Sequence, residues 1–167
     1  QLQGSQLTPP TADQMEKVNL HIPLKIALYD EKGAAQTLYD ADGVVDNVLN
    51  ITQKDQTFEF HNIYTKPVPA LLCDFSAPVK LDYDYSTSQL ITLLKFAENG
   101  FIRWDAAQML LAAELRRNVT NYQQGQPLDL SAETAAVLYQ VLDNHQKDIE
   151  LTSLILTLPK ATEFAEL

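Results

Sequence analysis

The stretch Gln56–Ser86, QTFEFHNIYTKPVPALLCDFSAPVKLDYDYS, decides how this chain is read. Thr57–Phe60 and Leu71–Phe75 are short apolar and aromatic runs, and Pro67, Pro69 and Pro78 bound them. Val79–Tyr85 alternates, with Val79, Leu81, Tyr83 and Tyr85 set against Lys80, Asp82 and Asp84. That two-residue period predicts a half-buried strand. At Ser86 the period changes to helical, so the stretch also marks a boundary.

Toward the N-terminus the strand signals continue. Ile22, Leu24, Ile26 and Leu28 alternate with Pro23, Lys25, Ala27 and Tyr29, and DEKG at 30–33 supplies a turn. Val44–Ile51 follows the turn signal Asp42–Gly43, and Ala70–Phe75 is a further strand candidate. Gln1–Val18 is polar, carries Pro9–Pro10, and reads as an edge segment or connector. Short strands separated by turn residues predict an Ig-like antiparallel β-sandwich over residues 1–86.

Toward the C-terminus, residues 87–167 read as an α-helical array. Ser86 is an N-cap with Gln89 as its capping-box partner, and Leu90, Leu93, Leu94 and Ala97 form an apolar stripe. Asn99–Gly100 is expected to close this helix in a left-handed cap. A second helix is predicted from Ile102 to Gln124, burying Trp104, Ala107, Leu111, Leu115, Val119 and Tyr122 and ending at Gly125. Ser131 starts a third, with Ala135, Leu138 and Leu142 inward; Asp148 caps a fourth, which Pro159 ends. Thr162–Leu167 begins a fifth pattern that does not finish, which reads as the cut end of a longer helical-repeat array. The fold class is therefore α+β in segregated modules.

Composition narrows the function. With 22 acidic and 12 basic residues the net charge is −10, which repels phosphate backbones and argues against nucleic-acid binding. No apolar run approaches the ~18 residues that a membrane helix needs, and no signal peptide opens the chain. The single cysteine, Cys73, lies in an apolar run and is expected to be a buried, inert thiol in a reducing, cytoplasmic setting.

Catalytic patterns are missing. His21, His61 and His145 stand far apart in the sequence, and none belongs to HExxH, so they read as surface histidines rather than zinc ligands. GxSxG and an activated Cys/His pair are absent, and the glycines stand alone. Asp82 and Asp84 read as a wet strand face rather than an acid–base couple. Tyr29, Phe60, Tyr83 and Tyr85 could build a sugar-stacking platform, but alternating aromatics read first as core or cross-strand pairs. Trp104 within Arg103-Trp104-Asp105 reads as a packing anchor, with Asp105 in the first helical turn against the dipole. The sequons at Asn50 and Asn118 read as chance in a chain without a secretory signal. No catalytic, cofactor-binding or metal-ligating residue is expected.

These words also carry a resemblance. FEFHNIYTKPVPALLCDFSAPVKLDYDYS resembles the closing part of the β-sandwich domain of the bacterial M1 zinc aminopeptidases. LHIPLKIALYD, NVLNITQKDQ, RWDAAQML, QQGQPLDL and ILTLP with FAEL follow in family order, so the resemblance runs from about Thr8 to Leu167. It implies a parent that removes N-terminal residues from peptides with a zinc-bound water activated by the Glu of HExxH. That machinery is not in this sequence. The implied role is to join the catalytic domain to a helical domain covering the active site, the partners being those other domains. The resemblance further implies that the sandwich's first strands begin upstream of Gln1, leaving one sheet edge unpaired and open to self-association. A free-standing Ig-like binding module is the alternative.

Overall fold

A computed structural model of the chain describes residues 1–160; the unfinished pattern at Thr162–Leu167 lies outside the described residues. The chain divides into two compact units, Gln1–Asp82 and a second from Tyr83 onward. The first is β, the second helical, as the change of period implies.

In the β unit, β1 (Leu2–Ser5) pairs antiparallel with β7 (Asp55–Phe58), so part of the polar N-terminal segment is a paired strand. The long strand β2 (Ile22–Tyr29) is the hub. Its first half pairs with β6 (Val48–Ile51), Ile22 opposite Ile51, and its second half with β8 (Val68–Leu71), Ile26 opposite Leu71. The short β3 (Ala35–Gln36) adds to the end of β2, and β4 (Tyr39–Asp40) with β5 (Gly43–Val44) forms a separate hairpin. Alternation along β2 sends Leu24, Ile26 and Leu28 into a core with Leu38, Leu49, Ile51 and Leu71.

Two expected strands change character. The run Leu71–Phe75 leaves the ladder at Leu71: Leu72 turns left-handed (φ 66°), and Cys73–Phe75 forms a tight turn closed by Phe75 N–H to Leu72 O at 3.0 Å. Val79–Tyr85 makes no ladder. Its amides close tight turns instead, Val79 N–H to Ala77 O at 2.9 Å and Tyr85 N–H to Tyr83 O at 3.0 Å. Val79 and Leu81 still pack on the β core, which accounts for the apolar half of the alternation.

In the helical unit, α1 (Thr87–Phe96) begins at the expected capping box. The Ser86 hydroxyl accepts from Gln89 N–H, and the Gln89 side chain accepts from Ser86 N–H at 2.9 Å. Asn99 is not a left-handed cap; its side chain accepts from Ile102 N–H at 3.1 Å as the N-cap of α2 (Gly100–Gln123). An Asn before a helix can satisfy its orphan amides, and that use prevails here. Asp105 consequently falls beyond the first turn. The buried residues of α2 run from Ile102 to Glu114, whereas Val119 and Tyr122, expected inside, are exposed. On α3 (Ala132–Asp143) the buried face is Thr134, Val137 and Val141, one position before the expected stripe, and Leu142 is exposed. Asp148 caps α4 (Ile149–Leu156), accepting from Leu151 N–H at 2.9 Å, and the helix stops before Pro159.

Candidate functional site

Two places concentrate polar chemistry, one in each unit. In the β unit it is the turn after β8. Leu72, Asp74 and Phe75 all have positive φ (66°, 56° and 50°), a region that costs non-glycine residues energy. Lys25 of β2 holds the turn on both sides: its N–H donates to Ser76 Oγ at 2.9 Å, and its Nζ lies 2.5 Å from Asp74 Oδ2. Asp74 in turn raises the Lys25 pKa above its ordinary value by hydrogen bonding and by charge. Cys73 sits inside the turn, 5% exposed. Burial, reinforced by the negative charge of Asp74, pushes its thiol up to about 11. At neutral pH the sulfur is a protonated, buried group, the opposite of a nucleophile.

In the helical unit the focus is Glu114, 9% exposed on α2. Oε1 accepts from the hydroxyls of Ser131 and Thr134, the latter at 2.7 Å. Oε2 accepts from Arg117 Nη2 at 2.7 Å and Nε at 3.1 Å. Arg117 Nη1 also reaches Asp129 Oδ1 at 2.6 Å, and Asn118 Nδ2 donates to Asp129 O at 2.8 Å. Burial alone would raise the Glu114 pKa, but the donors Ser131, Arg117 and Thr134 outweigh it and hold the carboxyl down at about 2. A carboxylate so fully engaged has little capacity left to take a proton from a substrate. It fastens the α2–α3 connection to the start of α3.

Glu114 was not among the residues the sequence brought forward. The available signal was Glu114-x-x-Arg117 on one helix, followed by Ser131-x-x-Thr134 at the next helix start. Asp105, placed at the helix start by sequence, instead lies partly buried further along α2, where desolvation raises its pKa.

The remaining sequence candidates do not assemble. His21, His61 and His145 are exposed; His21 Nε2 lies 2.7 Å from Asn50 Oδ1, and His145 Nδ1 lies 2.8 Å from Leu142 O. Among the described residues no group of three His, Cys, Asp or Glu side chains could hold a metal ion. Asp82 and Asp84 are exposed and lie outside any strand. Tyr29 is buried in the β unit and offers no face to a sugar; the Tyr83 and Tyr85 rings meet at a 55° tilt with centroids 4.5 Å apart. Trp104 is half-buried and pairs with Phe101 at 5.9 Å. No helix among the described residues is long and apolar enough to cross a membrane.

The fold defines an Ig-like antiparallel module followed by a helical-repeat module. The chain belongs to the family described as "Domain of unknown function (DUF3458) Ig-like fold", which matches residues 1–84, and residues 87–167 match "Domain of unknown function (DUF3458_C) ARM repeats". It is 67% identical over 162 residues to aminopeptidase N of Haemophilus influenzae, covering 97% of this chain and 19% of that protein. It is 52% identical over 163 residues to aminopeptidase N of Escherichia coli, covering 98% of this chain and again 19% of the relative. In structure it is similar to Legionella pneumophila aminopeptidase A, solved in complex with aspartic acid, with a TM-score of 0.72 and 32% identity over 89% of this chain and 16% of that one. The resemblance read in the sequence therefore holds for nearly its whole length. The chain spans about a fifth of the length of the curated relatives it matches.

Proposed function

We propose that this chain is the non-catalytic spacer and helical start of an M1 zinc aminopeptidase, with modules at 1–86 and 87–167. In this reading the parent hydrolyses the N-terminal residue from peptides in the cytoplasm. Its zinc and catalytic carboxylate lie on parts of the parent outside these residues. The 67% identity that covers 97% of the chain but 19% of the relative carries the reading. The site chemistry supports it: the buried thiol is protonated, and the buried carboxylate is consumed by structure.

Such a segment acts by geometry. In this reading the β module, built on one continuous strand, and the helical module, with each helix capped at its start, each keep their own internal geometry, and the helical cover is carried on them. A displaced cover changes substrate access before it changes bond chemistry, so damage here should raise KM more than it lowers kcat.

The test has two parts. The purified chain, supplied with zinc, is assayed against alanyl-p-nitroanilide, and no turnover is expected; turnover would place chemistry in these residues and overturn the assignment. The reading frame on either side of the coding segment is then examined. An HExxH motif with a later Glu upstream in the same frame is expected, and a frame without it removes the enzyme from the proposal.

A further inference from the structure

The helical unit contains a cleft of about 470 Å³ between the C-terminal ends of α1 and α3 and the start of α4. Its apolar wall is Leu94, Ala97 and Val141, and its rim carries Lys95, Arg103 and Lys147 with the amides Gln140 and Asn144. Three of the twelve Lys and Arg residues of a chain with net charge −10 therefore face one cavity. Cations at helix C-termini are ordinarily explained by the backbone dipole. Here that need is largely met: Arg103 Nε donates to Leu94 O at 3.1 Å, and Asn144 Nδ2 donates to Gln140 O at 2.8 Å.

What remains is a surplus of donors. The Arg103 Nη groups and the Lys147 Nζ have no hydrogen-bond or ion-pair partner among the described residues, and Lys95 only overlies the ring of its neighbour Phe96 at 5.6 Å. Asp148, the one carboxylate on the rim, spends Oδ1 on capping α4. Half-buried guanidinium nitrogens beside an apolar wall are matched by a ligand with a carboxylate head and an apolar body.

We infer that this cleft binds a carboxylate-bearing ligand, with Arg103 and Lys147 taking the carboxylate and Leu94 and Val141 its apolar part. The inference does not depend on the parent's catalytic activity.

The experiment is an amide chemical-shift titration of the ¹⁵N-labelled chain at low ionic strength, with two probes. Succinate represents a free small carboxylate, and N-acetyl-glutamyl-leucinamide represents an acidic peptide segment. Saturable shifts confined to the region of Lys95, Arg103, Gln140, Asn144 and Lys147 are expected for at least one probe. Tighter binding of the dipeptide assigns the ligand to a peptide segment, and tighter binding of succinate assigns it to a small acid. Lys147→Gln should weaken the better probe about fivefold, the effect of losing one partly exposed charge pair, and Lys54→Gln on the β unit should leave it unchanged. Lys147 is exposed, so the variant should fold; an unaltered far-UV spectrum checks this. Non-saturating shifts spread over exposed lysines, or equal affinity in the two variants, would overturn the inference.

Discussion

In the β unit three of the five strand pairings among the described residues use one strand. β2 gives its first half to β6 and its second to β8, and Ile26, at the change of partner, is fully buried. In the helical unit the load is distributed. Ser86, Asn99, Ser131 and Asp148 each cap a helix with their own side chain, and Glu114 ties α2 to the start of α3. A unit organised around one non-local strand is expected to fail as a whole, and a unit assembled from local devices to weaken in steps. The two also differ in what holds their least regular backbone: a surface ion pair in one, a buried carboxylate in the other.

The largest effect should come from the hub. Ile26→Ala removes a completely buried side chain between two strand pairings, and such truncations cost about 2–5 kcal/mol. Urea denaturation of the variant should show the β unit melting early while helical ellipticity persists to its original midpoint. If both signals shift together, the units are not independent and the comparison breaks.

Next in size is Glu114→Ala. It removes the carboxylate that Ser131 and Thr134 donate to and leaves Arg117 with Asp129 alone, and breaking a buried network of this kind costs about 2–3 kcal/mol once the partial exposure of Arg117 is allowed for. The pH dependence has a definite sign. The folded pKa of about 2 lies below the ordinary 4.5, so the stabilisation is complete above about 4.5 and drains away as pH falls toward 2. Thermal melts of the helical signal from pH 6 to pH 2.5 should therefore fall more steeply in the wild type than in the variant. Parallel curves would show that the carboxylate does not hold the α2–α3 connection.

A smaller loss is expected at a cap. Ser86→Ala should cost about 1 kcal/mol and fray the start of α1, read by hydrogen exchange at Gln89 and its neighbours. This is also where sequence was most informative. Ser86, Ser131 and Asp148 were readable because a cap is a local device, complete within three or four residues. The alternation of β2 was readable for the same reason. Val79–Tyr85 misled because alternation reports one-sided packing and says nothing about whether a partner strand is present. The stripe on α2 misled because a long helix needs covering only as far as its neighbours reach, and those leave Val119 and Tyr122 in solvent. Glu114 was hidden because its partners at 131 and 134 come close only once α3 has folded back.

The smallest effect should be at the turn after β8, and it is the one that best separates the two kinds of support. Asp74→Asn keeps a residue type that tolerates the left-handed backbone while removing the charge that Lys25 holds. Because that pair is exposed, global stability should barely move, in contrast to the loss at Glu114. The turn itself has a reporter. Cys73 is buried inside it with a thiol pushed up to about 11, so a thiol reagent reaches it only when the turn opens. Labelling of Asp74→Asn should be faster than that of the wild type under conditions where the urea midpoint of the β unit is unchanged. Equal labelling rates would mean that the positive-φ turn is held by the burial of Leu72 and Cys73 and by the Lys25 N–H to Ser76 bond, not by the ion pair. In that case both units keep their irregular backbone in place from inside the core, and the contrast between surface pair and buried carboxylate disappears.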